Sequence, residues 1–551
     1  MWIRRGIAVL FLSAGSTLGA CASEPGATAP ADAPPPPPDA DGGGPETGAP
    51  ACDATPTECA AQWERAASDK YDALLAKPEE LAAFLKAVPK GADLHNHLTG
   101  AVYAETYLTW AKADGDCINT STHQVVYSSQ CSASTQPVPT GGAFYDDIVR
   151  AWSMKDFVPG AETGRDHFFA TFGKFGAVAG AHRDDDIANV LERAADENQV
   201  YVETMFNLGK NIGALAAKVW SGPVTAADLP AFYDMIVADP TFAAELKQDV
   251  DAVDGAAAGY QAALGCGGAS PPAACSVGVR FVSQVSRTGA LDTLFGQLVS
   301  AYEVAAKSRH LVAANLSSPE DNVTSLRNYD LHMEMLDFLN TKYKATDKSP
   351  LHITLHAGEL TPAYLPQGYE TANTFHIRAA VEKGHAERIG HGLDILSETG
   401  SPALMDDMAK RGVLVEVCLS SNDQILEVKG TQHPLAEYLK RGVPVALATD
   451  DQGVSRSSMA GEYLRGALDQ KLTYRQLKAM ARQSLEHAFL PGASVWSSLT
   501  ETKPVPACAP TATMGVGDPP SDECKVALAS SQKAQLQWEL ERRFRAFESK
   551  Q

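Results

Sequence analysis

A chain of 551 residues with 44% hydrophobic and 21% charged content can bury a large core, in one big domain or two ordinary ones. Its formal net charge of -21 leaves no basic face for a phosphate backbone, and Lys and Arg do not gather into a stripe. Duplex DNA and RNA are therefore excluded as partners.

Residues 1–20 read MWIRRGIAVLFLSAGSTLGA, where Arg4 and Arg5 precede an apolar stretch too short to span a bilayer, the pattern of an export signal. The run LGAC that follows resembles the bacterial lipobox, so Cys21 is expected to be lipidated and to tether the protein to a membrane. An ordinary cleaved signal with an incidental Cys is the alternative. The expected location is the periplasm, the outer membrane or the cell surface, with secretion left open. Residues 21–60 are rich in Pro, Gly, Ala and acids, have no periodic apolar face, and read as a disordered linker.

Cysteine usage fits an oxidising compartment. Apart from Cys21, eight of the ten cysteines fall into close couples, Cys52 with Cys59, Cys117 with Cys131, Cys266 with Cys275 and Cys508 with Cys524, each beside Gly-, Pro- or Ser-rich segments. Loop staples within those couples are an expectation, because spacing alone does not fix pairing. Cys418 is left over in an apolar run and reads as a buried thiol.

From about residue 61 to 500, β-like runs alternate with helical stretches. In chain order the strands are ADLHNH, VYVETMF, VGVRFVSQV, LVAANL, LHITLHA, RIGHG, VLVEVCL and PVALATD. Eight strands in one alternating series predict an α/β fold of the (β/α)8 TIM-barrel type, with helical insertions at about 103–200 and 207–277. Residues 501–551 are expected to form a stapled loop and an amphipathic helix that packs on the barrel.

In such barrels chemistry gathers where strands end at their C-terminal side. His95 and His97 end the first run, His356 and Glu359 the fifth, His391 the sixth, and Asp450 and Asp451 the eighth. Positions i and i+2 of a strand share a face, so the imidazoles of His95 and His97 project side by side. Alone, that couple is as compatible with packing as with metal binding. His356 and Asp450 add a third imidazole and a carboxylate, a set that suits Zn²⁺, one per chain, with a position open for water.

The ordered motifs LHNHLTG, LHAGE, RIGHG, SSN and LATDD resemble the adenosine deaminase family of metal-dependent amidohydrolases over most of residues 85 to 490. The stretches FYDDIVRAWSMKDFVPG and DHFFATFGKFG, with the Cys-bounded insert upstream, look like the secreted, growth-factor-type branch. The resemblance implies hydrolytic deamination of adenosine and 2'-deoxyadenosine to the inosine compounds and ammonia. It implies His95, His97, His356 and Asp450 as metal ligands and Glu359 as the acid that protonates purine N1. His391 would abstract or orient the water proton, and Asp451 would hold N7. Asp451, Ser318 and His97 become substrate contacts, with the Ser318 backbone N–H approaching N3.

Two departures bear on the sugar and base. Classical cytosolic members carry an acid where Thr99 stands, and a glycine where Ser318 stands. Asn422 is expected to orient a strand end, with a plain turn residue as the alternative. Trp152, Phe157, Phe168 and Phe169 are candidates to wall the purine cavity, at least two of them packing insertion helices instead, and Asp166 and His167 are ambiguous. The runner-up readings are a deaminase of another 6-aminopurine derivative and a non-catalytic purine-binding or signalling protein on the same fold. A homodimer is left open.

Overall fold

The computed structural model describes residues 55–344, 351–509 and 521–551. The expected export signal, Cys21, nearly all of the linker and Cys52 lie outside those residues. The first described element is a helix over Pro56–Leu74, whose N-terminus is closed by a reciprocal cap between Thr55 and Glu58, so residues 56–60, expected in the linker, are helical.

Eight parallel strands follow in sequence order: β1 Gly91–His97, β2 Gln199–Phe206, β3 Gly278–Ser286, β4 Leu311–Ser317, β5 His352–Ala357, β6 Arg388–His391, β7 Leu414–Val417 and β8 Val445–Leu447. Each pairs with the next. The ring is closed by a bridge between Asn96 of β1 and Asp450 just beyond β8, with Asp450 N–H donating to the His95 carbonyl at 2.8 Å. This is the (β/α)8 barrel, its outer helices burying apolar stripes against the strands.

The first insertion carries a three-stranded antiparallel sheet stapled by Cys117–Cys131, and its last helix, Arg183–Asp196, is the crossover that leads into β2. The second holds three helices, Lys210–Val219, Leu229–Ala238 and Phe242–Leu264, and the Cys266–Cys275 staple. Beyond the barrel, Cys508–Cys524 closes the expected loop. The single terminal helix expected from the charge pattern is two, Asp522–Ala529 and Gln532–Glu548, because the Ser531 side chain caps a new start by accepting from Ala534 N–H. The second packs on the barrel through buried ion pairs, Lys478 with Glu548 at 2.6 Å and Arg482 with Glu541 at 2.7 Å. Cys418 is a buried free thiol. Among the described residues no helix is long and apolar enough to cross a membrane.

The lower barrel interior is polar. Fully buried Arg388 of β6 lies between Glu203 of β2 and Glu416 of β7, each at 2.6 Å. An unpaired charge here would be strongly destabilising, and the two carboxylates and the His487 carbonyl, at 3.0 Å, satisfy it.

Candidate active site

Strand alternation delivers His95 and His97 to the same face of β1, and β5 and the β8 end bring His356 and Asp450 to meet them. The Nε2 atom of His356 lies 3.1 Å from those of both His95 and His97. Asp450 Oδ1 stands 3.3 Å from His97 Nε2 and 3.7 Å from His95 Nε2. These spacings are close to the roughly 3.3 Å between donors on one tetrahedral Zn²⁺.

The far nitrogens explain the arrangement. His95 Nδ1 faces Glu416 Oε2 at 2.7 Å, His97 Nδ1 faces Gln284 Oε1 at 2.9 Å, and His356 Nδ1 faces Asn315 Oδ1 at 2.8 Å. The Asn315 amide is oriented by accepting from the His356 backbone N–H at 3.1 Å. Each Nδ1 therefore carries the proton, and three Nε2 lone pairs converge beside a carboxylate. Such a cluster repels itself unless a cation sits within it, so the residues fit a divalent metal.

Around this cluster stand the other expected residues. Three non-glycine residues at the strand ends adopt left-handed backbone: Ser318 (φ 82°), His391 (φ 67°) and Asp450 (φ 56°). Strain of this kind persists only where surroundings enforce it, and it concentrates at functional sites. Asn422 does orient a strand-end residue. Leu435 N–H donates to His433 Nδ1 at 3.2 Å, His433 Nε2–H to Asn422 Oδ1 at 3.2 Å, and Asn422 Nδ2–H to His391 Nδ1 at 3.1 Å. This relay leaves the remaining His391 proton on Nε2, a buried atom with no hydrogen-bond partner, 3.7 Å from Glu359 Oε1. Burial drives the His391 ring down to about 3, so it is neutral at ordinary pH.

Glu359, 8% exposed, is pushed well above the carboxylate range by burial first, then by Asp450 and Glu320, with Arg287 opposing. Burial and neighbouring Asp450 push Asp451 the same way. Asp451 Oδ1 has no hydrogen-bond partner and presses on Gly100, where a Cβ would lie 1.6 Å away.

These groups open into a cavity of about 410 Å³, a size suited to a nucleoside-sized ligand. Phe168, Phe169 and Phe172 line it, with Thr99 and Ser318 among the polar residues at its edge. Trp152 and Phe157 do not: Trp152 Nε1 donates to the His123 carbonyl at 2.7 Å, and Phe157 stacks on His167 at 4.7 Å. His167 itself bridges Glu162 and two backbone carbonyls, and Asp166 pairs with Arg165. Sequence reasoning missed Phe172, Gln284, Asn315, Glu416 and Gly100.

Residues 232–499 match the family model described as adenosine deaminase, a stretch that holds His356, Glu359, His391, Asp450 and Asp451 and leaves His95 and His97 to the geometry. The chain is 33% identical over 220 residues to an adenosine deaminase of Serratia proteamaculans, covering 39% of this chain and 56% of that one. A Klebsiella pneumoniae adenosine deaminase is 33% identical over 208 residues, covering 37% and 54%. The chain thus spans little more than half the length of the curated relatives it matches. An N6-mAMP deaminase from arabidopsis superposes with a TM-score of 0.45 at 18% identity, over 74% of this chain and 95% of that one. Over residues 232–499, the stretch that carries His356, Glu359, His391, Asp450 and Asp451, the chain is similar to the adenosine deaminase family.

Proposed function

We propose that the protein is a Zn²⁺-dependent deaminase that hydrolyses adenosine and 2'-deoxyadenosine to inosine and deoxyinosine with release of ammonia, outside the cytoplasm. The observation that carries this reading is the convergence of three Nε2 lone pairs and the Asp450 carboxylate on the floor of a cavity that also holds Glu359 and His391. A Zn²⁺ held by His95, His97, His356 and Asp450 would supply a Lewis acid that lowers the pKa of water toward about 7.

The chain's own groups do the rest. Addition of water oxygen at C6 places charge on N1, and Glu359, protonated by its surroundings, gives N1 a proton; of the two water protons one passes to the C6 amino group, which leaves as ammonia and restores the ring, and the other returns to Glu359. His391 presents a fixed Nε2–H, which suits it to orient the attacking oxygen rather than to abstract its proton. A protonated Asp451 donates to the acceptor N7. Ser318 already holds the left-handed backbone that glycine supplies elsewhere in the family, so its N–H can approach N3. The aromatic wall of Phe168, Phe169 and Phe172 excludes water and stacks the base.

The second reading, a different 6-aminopurine derivative, is favoured by Thr99 at the cavity edge, which brings no carboxylate to a sugar hydroxyl. A panel of adenine, adenosine, deoxyadenosine and their phosphates separates the two. The primary test is Glu359→Gln: turnover, followed by loss of the adenosine absorbance band, should fall by about 10²–10⁴-fold while metal is retained. Intact turnover would remove the acid assignment. Lipidation of Cys21 would place the enzyme on a membrane surface, checked by the mass of the mature N-terminal peptide.

A further inference from the structure

Behind the cavity wall lies Glu320, 1% exposed, in the segment that follows β4. Its Oε2 accepts the backbone N–H of Glu359 at 2.9 Å, and its Oε1 accepts the N–H of Gly358 at 3.2 Å and the Nδ1–H of His376 at 2.6 Å. The Arg287 guanidinium stands 3.8 Å from Oε2. On its other side the same turn is confined by Asp394: Gly358 has φ +75°, and a Cβ there would lie 2.4 Å from Asp394 Oδ1. A carboxylate that commits both oxygens to two successive peptide N–H groups fixes the orientation of that peptide, as a bound anion does in a backbone nest.

We propose that Glu320 is a positioning residue for the deamination: it anchors the peptide that carries Glu359 and sets a fixed negative charge beside the Glu359 carboxyl, holding it in its proton-donating form. This rests on the reading of Glu359 as proton donor. Burial works against a charge on Glu320, yet His376, Arg287 and the Glu359 N–H outweigh it and keep Glu320 below the usual carboxylate range. The charged and titratable groups facing Glu359 are Asp450 and Asp451 beyond β8, Glu320 and Asp321 after β4, Arg287 after β3, and His391 of β6. Of these Glu320 alone also grips the Glu359 backbone.

The sign is set by the chemistry. A proton donor works while protonated, so activity is lost as pH rises through its pKa. Glu320→Gln keeps the length and an acceptor but removes the charge, and the alkaline limb of kcat/KM should move to lower pH by about one unit or more, with metal content unchanged. Glu320→Asp keeps the charge and shortens the reach, so kcat should fall while the limb stays in place. A Glu320→Gln limb that coincides with wild type overturns the proposal. Should that variant fail to fold, a Glu320→Asp enzyme with wild-type kcat overturns it instead. An infrared band of a buried protonated carboxyl, assigned by its loss in Glu359→Gln, separates the underlying reading: its absence from wild type at neutral pH removes the donor itself, and its presence with an unmoved limb removes only Glu320.

Discussion

Replacing Gly100 with alanine tests whether Asp451 must stand where it does. The added Cβ would lie 1.6 Å from Asp451 Oδ1, 2.5 Å from its Cγ and 2.7 Å from its Cβ. Because the stem is struck as well as the tip, turning the carboxylate about its own axis gives no relief. Non-bonded carbons rest about 3.5 Å or more apart, so the side chain must withdraw by roughly 2 Å. Gly100 sits in the short helix Leu98–Ala101 and is absent from the positive-φ residues, so alanine is conformationally acceptable and the clash decides the outcome. Misplacing a reacting group by about 1 Å can cost on the order of 100-fold in rate. For adenosine, kcat/KM should therefore fall at least about 100-fold, equivalent to about 2.7 kcal/mol of transition-state stabilisation. Overpacking of this kind also costs about 1–3 kcal/mol of fold stability, so a modest drop in Tm should accompany it. The assay is loss of the adenosine absorbance band at several substrate concentrations, beside a thermal melt and a metal determination. Wild-type kcat/KM in a folded, metal-loaded Gly100→Ala protein would refute both the contact and the role of Asp451.

Two further expectations concern the shell around the imidazoles and the acid limit of the fold. Glu416→Gln keeps an acceptor for His95 Nδ1 but removes the charge beside it and beside Arg388, and should weaken metal affinity about 10–100-fold, measured against a competing chelator; unchanged affinity would show that the Glu416 charge does not support His95 as a ligand. His332 and His433 are buried and held neutral, pushed down to about 3 and about 4, mainly by burial. Because their folded values lie below the unfolded value of about 6.5, the unfolded chain gains protons first as pH falls. Each site then removes up to about 1.4 kcal/mol of stability per pH unit between about 6.5 and its folded value, and nothing above that window. Denaturant midpoints should be level above pH 7 and decline toward pH 4; a level acid side would show that these rings are not desolvated.

Much of the barrel and of its rim was legible because strands alternate with a period of two and because apolar runs kept ending in His or Asp. The couple at His95 and His97, the later His356 and Asp450, and the flanking Glu359, His391 and Asp451 needed only strand order to be placed on one rim. The residues that hold them were less legible. Glu416 is one charged letter inside VLVEVCL and Asn315 one amide inside VAANL: each signals a buried polar partner without saying which, since the partners lie 321 and 41 positions away. Phe172 was missed because neighbouring aromatics on one helix, Phe168, Phe169, Phe172 and Phe175, look alike until the turn that faces the cavity is known. The break before Gln532 turned on a single serine, whose cap outweighs an otherwise continuous helical pattern.

Barrel closure carries a consequence for assembly. The contact that seals β1 to the β8 end joins Asn96 to Asp450, and the peptide groups that make it belong to His95, His97 and Asp450 themselves. Zipping the last seam and completing the donor set are thus one event. A nascent chain that has emerged only as far as β7 has His95, His97 and His356 and yet lacks both the Asp450 carboxylate and the seam, so the four-residue donor set exists only once the fold is shut.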